Sequence, residues 1–221
     1  MSDLQTYINQ FPDKTIAVAV YDLETGKEIL INADESFHPC STIKVHVMIE
    51  VFRQAEAGYL SLDDHLPLIN SFTSIADASK FALEVNDDGE TTLYQRLGES
   101  ESIAELTRLM IIRSSNLAHN ILIEKVGMKD INAFIQSLGI EGVVVRRGVE
   151  DKVAYRRGLN NSATARGLTK TMQLIAEGKV VSKQASEKMI EIMLQQEFNE
   201  SIPALLPNSA RVAHKTGWQG E

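Results

Sequence analysis

Hydrophobic periodicity changes twice along this chain, and that constrains its fold more than any other feature of the sequence. Residues 15–21, "TIAVAVY", are β-branched and apolar, "ETGK" is a turn signal, and residues 28–32 return as a second strand. The stretch "ARVAHKTGW" near the other end also reads as a strand. Between them the period is helical. Strands at both ends of a helical middle imply a sheet assembled from the termini with a helical insert, an α+β arrangement. The sheet lobe is expected from residues 1–34 and 203–221, and the helical lobe from 35–202. With 221 residues, 43% of them hydrophobic, the chain can bury a sizeable core.

Within that frame "DLQTYINQF" is a short helix. Helix 41–57 keeps Ile43, Val47, Met48, Val51, Phe52 and Ala55 at helical spacing and stops at Gly58. Residues 59–100 are polar with weak periodicity and are expected to be loops and short helices. Ser102 and Glu105 form a capping pair ahead of "IAELTRLMIIR". Helices follow near 117–126 and 129–138, closed by Gly127 and Gly139. "RRGVEDKVAYRRGLNN" reads as a loop, and two more helices are expected over 162–177 and 183–196.

Composition excludes several function classes. The net charge is -8 with no run of Lys or Arg, which argues against nucleic acid as a partner. One cysteine, Cys40, allows no internal disulfide and fits a reducing compartment. "MSDLQTYINQ" lacks the basic and apolar regions of a signal peptide, and no stretch approaches the roughly 20 apolar residues of a membrane span. The expectation is a soluble monomer without membrane contact, cytoplasmic as the sequence stands, or periplasmic or secreted if a leader was removed. None of the five histidines has metal spacing, so a zinc site is a poor reading. His46 lies two residues after Lys44, and His214 neighbours Lys215 on a strand and so faces the other side. A Ser-His-Asp triad fits no better.

Ser41 and Lys44 stand three apart at the start of the first long helix, where such residues are surface neighbours. A serine hydroxyl is a weak nucleophile and a protonated lysine a weak base. Burial that lowers the lysine pKa lets the amine take the hydroxyl proton, while helix N–H groups favour an oxyanion there. Ser-x-x-Lys alone is a weak signal. Two further motifs follow it: Ser114-Ser115-Asn116 at a helix junction and Lys215-Thr216-Gly217 on the last strand.

In that order these three motifs are the set of the penicillin-recognising serine enzymes, and nearly the whole chain resembles class A β-lactamases and their penicillin-binding relatives. The resemblance implies a β-lactamase/transpeptidase-like fold, an antiparallel sheet flanked by helices beside an all-helical lobe. It implies Ser41 as the acylated nucleophile and Lys44 as its proton acceptor. Ser114 would relay a proton to the lactam nitrogen, and Asn116 would hold the substrate's side-chain amide. Lys215 would supply positive charge to the substrate carboxylate, which Thr216 would also bind. Gly217 would let substrate lie close to the strand, and the N–H groups of Ser41 and Trp218 would form the oxyanion hole. No metal or cofactor is called for; the expected partner is a small β-lactam or peptidoglycan-like molecule.

The chain departs from the family pattern in three places. Ser115 stands where class A enzymes usually have Asp, so altered bracing of that loop is expected. Glu150 lies where the resemblance puts the deacylating carboxylate, but Val153 and Ala154 replace the family's Leu-Asn. Asn160 and Asn161 are possible substitutes for that asparagine, Asp151 is a rival carboxylate, and Glu150 is alternatively an ion-pair partner of Arg146 or Arg147. Two strands and a helix that follow the Lys-Thr-Gly strand in the family are missing here, so the natural protein is expected to run on. Of the remaining residues, Asn120 resembles the asparagine that steadies the deacylating loop, with a plain helix-surface role as its alternative. Tyr94 is a cleft wall or a core residue, and Cys40 a buried free thiol. The expected reaction is hydrolysis of the β-lactam amide. Its rivals are a D-Ala-D-Ala carboxypeptidase or esterase, and a non-turnover binder of β-lactam or peptidoglycan fragments.

Overall fold

The computed structural model describes residues 3–219. In chain order its helices are α1 (Asp3–Ile8), α2 (Lys44–Glu56), α3 (Ile103–Ile112), α4 (Asn116–Val126), α5 (Met128–Ser137), α6 (Lys152–Arg156), α7 (Ala165–Ala176) and α8 (Lys183–Met193). Its strands are β1 (Val18–Tyr21), β2 (Glu28–Ile31), β3 (Ser36–Phe37), β4 (His65–Pro67), β5 (Phe72–Thr73), β6 (Lys80–Phe81), β7 (Ser100–Ser102), β8 (Val143–Val144) and β9 (Ser162–Thr164). None of the described helices is long and apolar enough to cross a membrane.

Helix α2 is the axis of the helical part. Every residue from Lys44 to Phe52 is buried, so it lacks the polar face of a surface helix. It packs against α3, α4, α5 and α8, and Val47, Met48, Leu106, Met110, Leu117 and Leu122 join one continuous core. Each such side chain, fully buried, contributes roughly 1.5–3 kcal/mol of transfer free energy. The polar members of α2 are partnered: His46 Nε2 meets Thr171 Oγ1 at 3.0 Å, and Glu50 accepts from Arg53 and Gln54. Helix starts are set by side chains that accept a first-turn N–H, namely Ser102, Ser115, Asp151, Thr164 and Ser182. The expected reciprocal bond of the Ser102–Glu105 pair is not made; Glu101 holds the Ser102 N–H while Glu105 pairs with Arg108.

The terminal hairpin forms as expected, with Val18 opposite Ile31 and Tyr21 opposite Glu28. The Asp22 carboxylate closes its turn, accepting from the N–H groups of Glu24 and Thr25 and from the Thr25 hydroxyl. The hairpin lies on α7, where the Thr169 hydroxyl donates to Ala19 O at 3.0 Å.

Four stretches differ from expectation. Residues 59–100 contain short strand pairs, β4 with β7 and β5 with β6, beside two 3-10 turns. Strands this short lack a readable period and exist through a distant partner: His65 pairs with Ser102. Residues 162–164, expected as helix, are β9, which pairs with both β3 and β8 before Thr164 caps α7. The loop after Gly148 holds the short helix α6. The stretch 210–218 joins no strand ladder among the described residues; its His214 N–H reaches Met193 O at 3.4 Å.

Candidate active site

Six segments converge on one cleft of about 1180 Å³: the turn before α2, residues 86–89, the α3–α4 junction, the loop around Glu150, residues 198–201 and residues 216–219. Ser41 sits in a 3-10 turn, Cys40–Ile43, rather than in the α-helix proper, and α2 begins at Lys44. The turn is tied by the Thr42 N–H and hydroxyl, both donating to Pro39 O. Ser41 lines the cleft, and its hydroxyl makes no side-chain hydrogen bond among the described residues.

Lys44 is fully buried beneath that cleft. Its Nζ donates to Ser114 O at 2.6 Å, to Asn116 Oδ1 at 2.7 Å and to Ser114 Oγ at 3.3 Å. Burial lowers its pKa to about 7, against the pull of the Asp88 and Glu150 charges. Lys215 Nζ donates to the same Ser114 Oγ at 3.0 Å and to Thr216 O at 2.8 Å. Burial first, and then the neighbouring Lys44 charge, lower its pKa to about 6. With both lone pairs of Ser114 Oγ taken by amines, its own proton is directed elsewhere.

The Ser114–Asn116 turn has a φ of +57° at Ser114, a strained conformation of the kind found at functional sites. Asp88, which the sequence reading missed, holds this turn. Its buried carboxylate accepts through Oδ2 from the N–H groups of Asn116 and Leu117 and from the Tyr94 hydroxyl, each at 2.9 Å. Oδ1 takes the Glu90 N–H at 3.0 Å. A carboxylate at this helix start satisfies free N–H groups and meets the positive end of the dipole. The Ser115 hydroxyl oxygen accepts the Ala118 N–H. Ser115 standing in place of an aspartate was the one signal that such a carboxylate comes from elsewhere. Tyr94 is thus a support for Asp88 packed against the core, not a wall of the cleft.

The loop bearing Glu150 is pinned from both sides. Asn120 bonds it twice, accepting the Val149 N–H at 2.8 Å and donating to Val149 O at 3.0 Å. Gly148 lies so close that a Cβ there would fall 2.5 Å from Asn120 Oδ1. Asn161 accepts from the N–H groups of Arg146 and Arg147 and donates to Arg147 O, while Asn160 Oδ1 takes an Arg147 N–H. Asp151 is engaged by Ser74, the Ile75 N–H and the Ala154 N–H. These groups brace the loop, with the Asn161 side chain and the Asp151 carboxylate both engaged within it. Glu150 lines the cleft with φ +60° and makes no ion pair with Arg146 or Arg147 among the described residues. Burial, and then the Asp87 charge, raise its pKa above the ordinary carboxylate value.

Thr216, Gly217 and Trp218 line the opposite wall. Gly217 lies flush against the nucleophile's turn: a Cβ there would meet Thr42 Cγ2 at 3.0 Å and Pro39 O at 3.1 Å. The Trp218 side chain is 84% exposed. Cys40 is free but only half-buried, and its thiol lies 3.9 Å from Gln219 Oε1.

The fold and the paired lysines on Ser114 define the class: a β-lactamase/transpeptidase-like protein with small antiparallel sheets and eight described α-helices. The family model described as "Beta-lactamase enzyme family" matches residues 1–221, and the chain belongs to that family. Extended-spectrum beta-lactamase PER-1 of Pseudomonas aeruginosa is 26% identical over 213 residues, covering 93% of this chain and 65% of that protein. The chain therefore spans just under two thirds of that relative's length. A solved structure of a PBP-A variant, described as an acyl-enzyme complex with penicillin G, superposes with a TM-score of 0.80 at 25% identity, covering 97% of this chain and 75% of that one. An ancestral class A β-lactamase shares the fold with a TM-score of 0.82 at 23% identity, covering 99% and 80%.

Proposed function

We propose that the chain is a serine hydrolase of β-lactams, working by class A chemistry through an acyl-enzyme on Ser41. The observation that carries this reading is the chain of hydrogen bonds Lys44–Ser114–Lys215 beneath the cleft that Ser41 lines. With a pKa of about 7, Lys44 is neutral in a large fraction of molecules at neutral pH and can accept the Ser41 proton. The Ser41 oxygen attacks the lactam carbonyl, and the developing oxyanion is met by the Ser41 and Trp218 N–H groups. As the C–N bond breaks, Ser114 delivers its proton to the ring nitrogen and regains one from the amines bound to its oxygen. A substrate carboxylate beside Lys215 and Thr216 favours the protonated form of Lys215. Asn116, held by Lys44 and by Asp87 O, presents its amide to the substrate side chain. Glu150 then activates the water that hydrolyses the ester.

A second reading has specific support. Val153 and Ala154 stand where the family has Leu-Asn, Asn161 and Asp151 are bound within the loop, and Asp87 works against the ionisation of Glu150. Slow deacylation follows, as in a β-lactam or peptidoglycan-fragment sensor. A D-Ala-D-Ala carboxypeptidase or esterase would use the same acylating groups. Burst kinetics with a chromogenic cephalosporin separates them. Steady turnover supports the lactamase, one stoichiometric burst the sensor, and activity confined to esters or D-Ala-D-Ala peptides the third reading. An intact-mass adduct that survives Ser41→Ala would refute the nucleophile.

A further inference from the structure

Cys40 precedes Ser41 with φ +48°, a conformation that costs a non-glycine residue on the order of 1–3 kcal/mol and persists only where its surroundings enforce it. On one side the enforcement comes from the flush approach of Gly217, whose Cβ would lie 3.2 Å from Cys40 Cβ. On the other side the Cys40 N–H donates to His38 Nδ1 at 3.2 Å. Since Nδ1 accepts, the neutral ring carries its proton on Nε2. Arg147 Nη2 lies 3.4 Å from that Nε2; two donors face each other, so this contact is packing rather than a hydrogen bond.

The ring also reaches the far side of the cleft. It meets Tyr155 of α6 edge-on at 6.1 Å, and the Arg147 guanidinium lies over the same tyrosine at 5.7 Å. Arg147 is fixed by Gly148 O and Asn160 Oδ1, three residues before Glu150. One imidazole therefore touches both the turn that carries Ser41 and the loop that carries Glu150. Burial, and then the Arg147 charge, lower its pKa, so the ring is neutral and able to accept at neutral pH.

We propose that His38 is a positioning residue: its Nδ1 holds the left-handed bend that aims Ser41, and its ring face registers that bend against the Glu150 loop. The inference rests on Ser41 being the acylated residue.

The test compares His38→Asn, which keeps an acceptor near the Nδ1 position, with His38→Phe, which keeps the ring against Tyr155 but has no acceptor, and with His38→Ala. Acylation is timed by intact mass after mixing with a chromogenic cephalosporin, and thermal unfolding is followed in parallel. The Asn variant should acylate within a few-fold of the parent. The Phe variant should slow by roughly tenfold, the size of one lost hydrogen bond with some strain, with the melting temperature lowered by about 2–4 °C. Amide hydrogen exchange at Cys40 needs no substrate: protection should persist with Asn and fall with Phe and Ala. Phe acylating at the parental rate, or a Cys40 amide equally protected in all variants, would overturn the proposal. A parent that forms no Ser41 adduct while Cys40 protection follows the acceptor would sink the acylating reading and leave the role of His38 in the bend supported.

Discussion

Lys44 and Lys215 donate to one oxygen, the Ser114 hydroxyl, from 3.3 and 3.0 Å. Burial lowers both pKa values far below the ordinary lysine value, and at Lys215 the nearby Lys44 charge adds to the fall. Lys44 is thus a buried amine that titrates near neutral pH, reached without histidine.

Acylation should follow the ionisation of Lys44. kcat/KM for a chromogenic cephalosporin is expected to rise with pH through about 7. Lys44→Arg, which stays protonated, should lose on the order of 10²-fold or more. Stability carries the same signature. Between about 7 and 10.5 the unfolded lysine holds a proton that the folded one lacks, so stability rises with pH over that window. Below about 7 both states are protonated and the contribution is gone. Urea midpoints across the window should show a flatter slope in Lys44→Met.

Glu150→Gln should leave acylation nearly intact and slow deacylation by roughly 10²–10⁴-fold, the usual range for a general base. Intact mass would then show the β-lactam adduct persisting after free drug is removed. An adduct that clears at the parental rate would assign hydrolysis to another group.

Asp87→Asn removes the like charge that, after burial, raises the Glu150 pKa. The acid limb of deacylation should move to lower pH, because Glu150 then ionises more readily. The pH profile of single-turnover ester hydrolysis reads this shift directly.

Asp88→Asn should destabilise the fold by about 1–3 kcal/mol in urea unfolding, since one buried carboxylate serves three N–H groups and a hydroxyl. It should also slow acylation, because Asn116 and Ser114 lose the anchor of their turn.

The residues of the candidate site were legible where chemistry clusters in short motifs. Ser41 with Lys44, Ser114 with Asn116, and Lys215 with Thr216 each lie within a few positions, and the fold brings them to one cleft. Asn120 was legible from its place one helical turn after Asn116. Asp88 was not, because it serves Asn116 across 28 positions and nothing local marks it. His38 was silent for the opposite reason: its bond to Cys40 is local, but its meaning depends on Arg147 and Tyr155 far along the chain. In the fold, the longer helices with capped ends were readable, while the five-residue α6, although capped by Asp151, and the two- and three-residue strands were not. Thr164 shows the conflict in one residue, since it caps α7 as its type predicts while also pairing with Ser36 in a strand.

Gly148 meets Asn120 without clearance, so the seam between the Glu150 loop and α4 tolerates no added atom. Variation in what this cleft admits cannot enter by that route. Side chains beyond the seam have that room: Asn86 and Lys152 are exposed on the rim of the cleft, where a change of size or charge alters what can enter without moving the Glu150 loop.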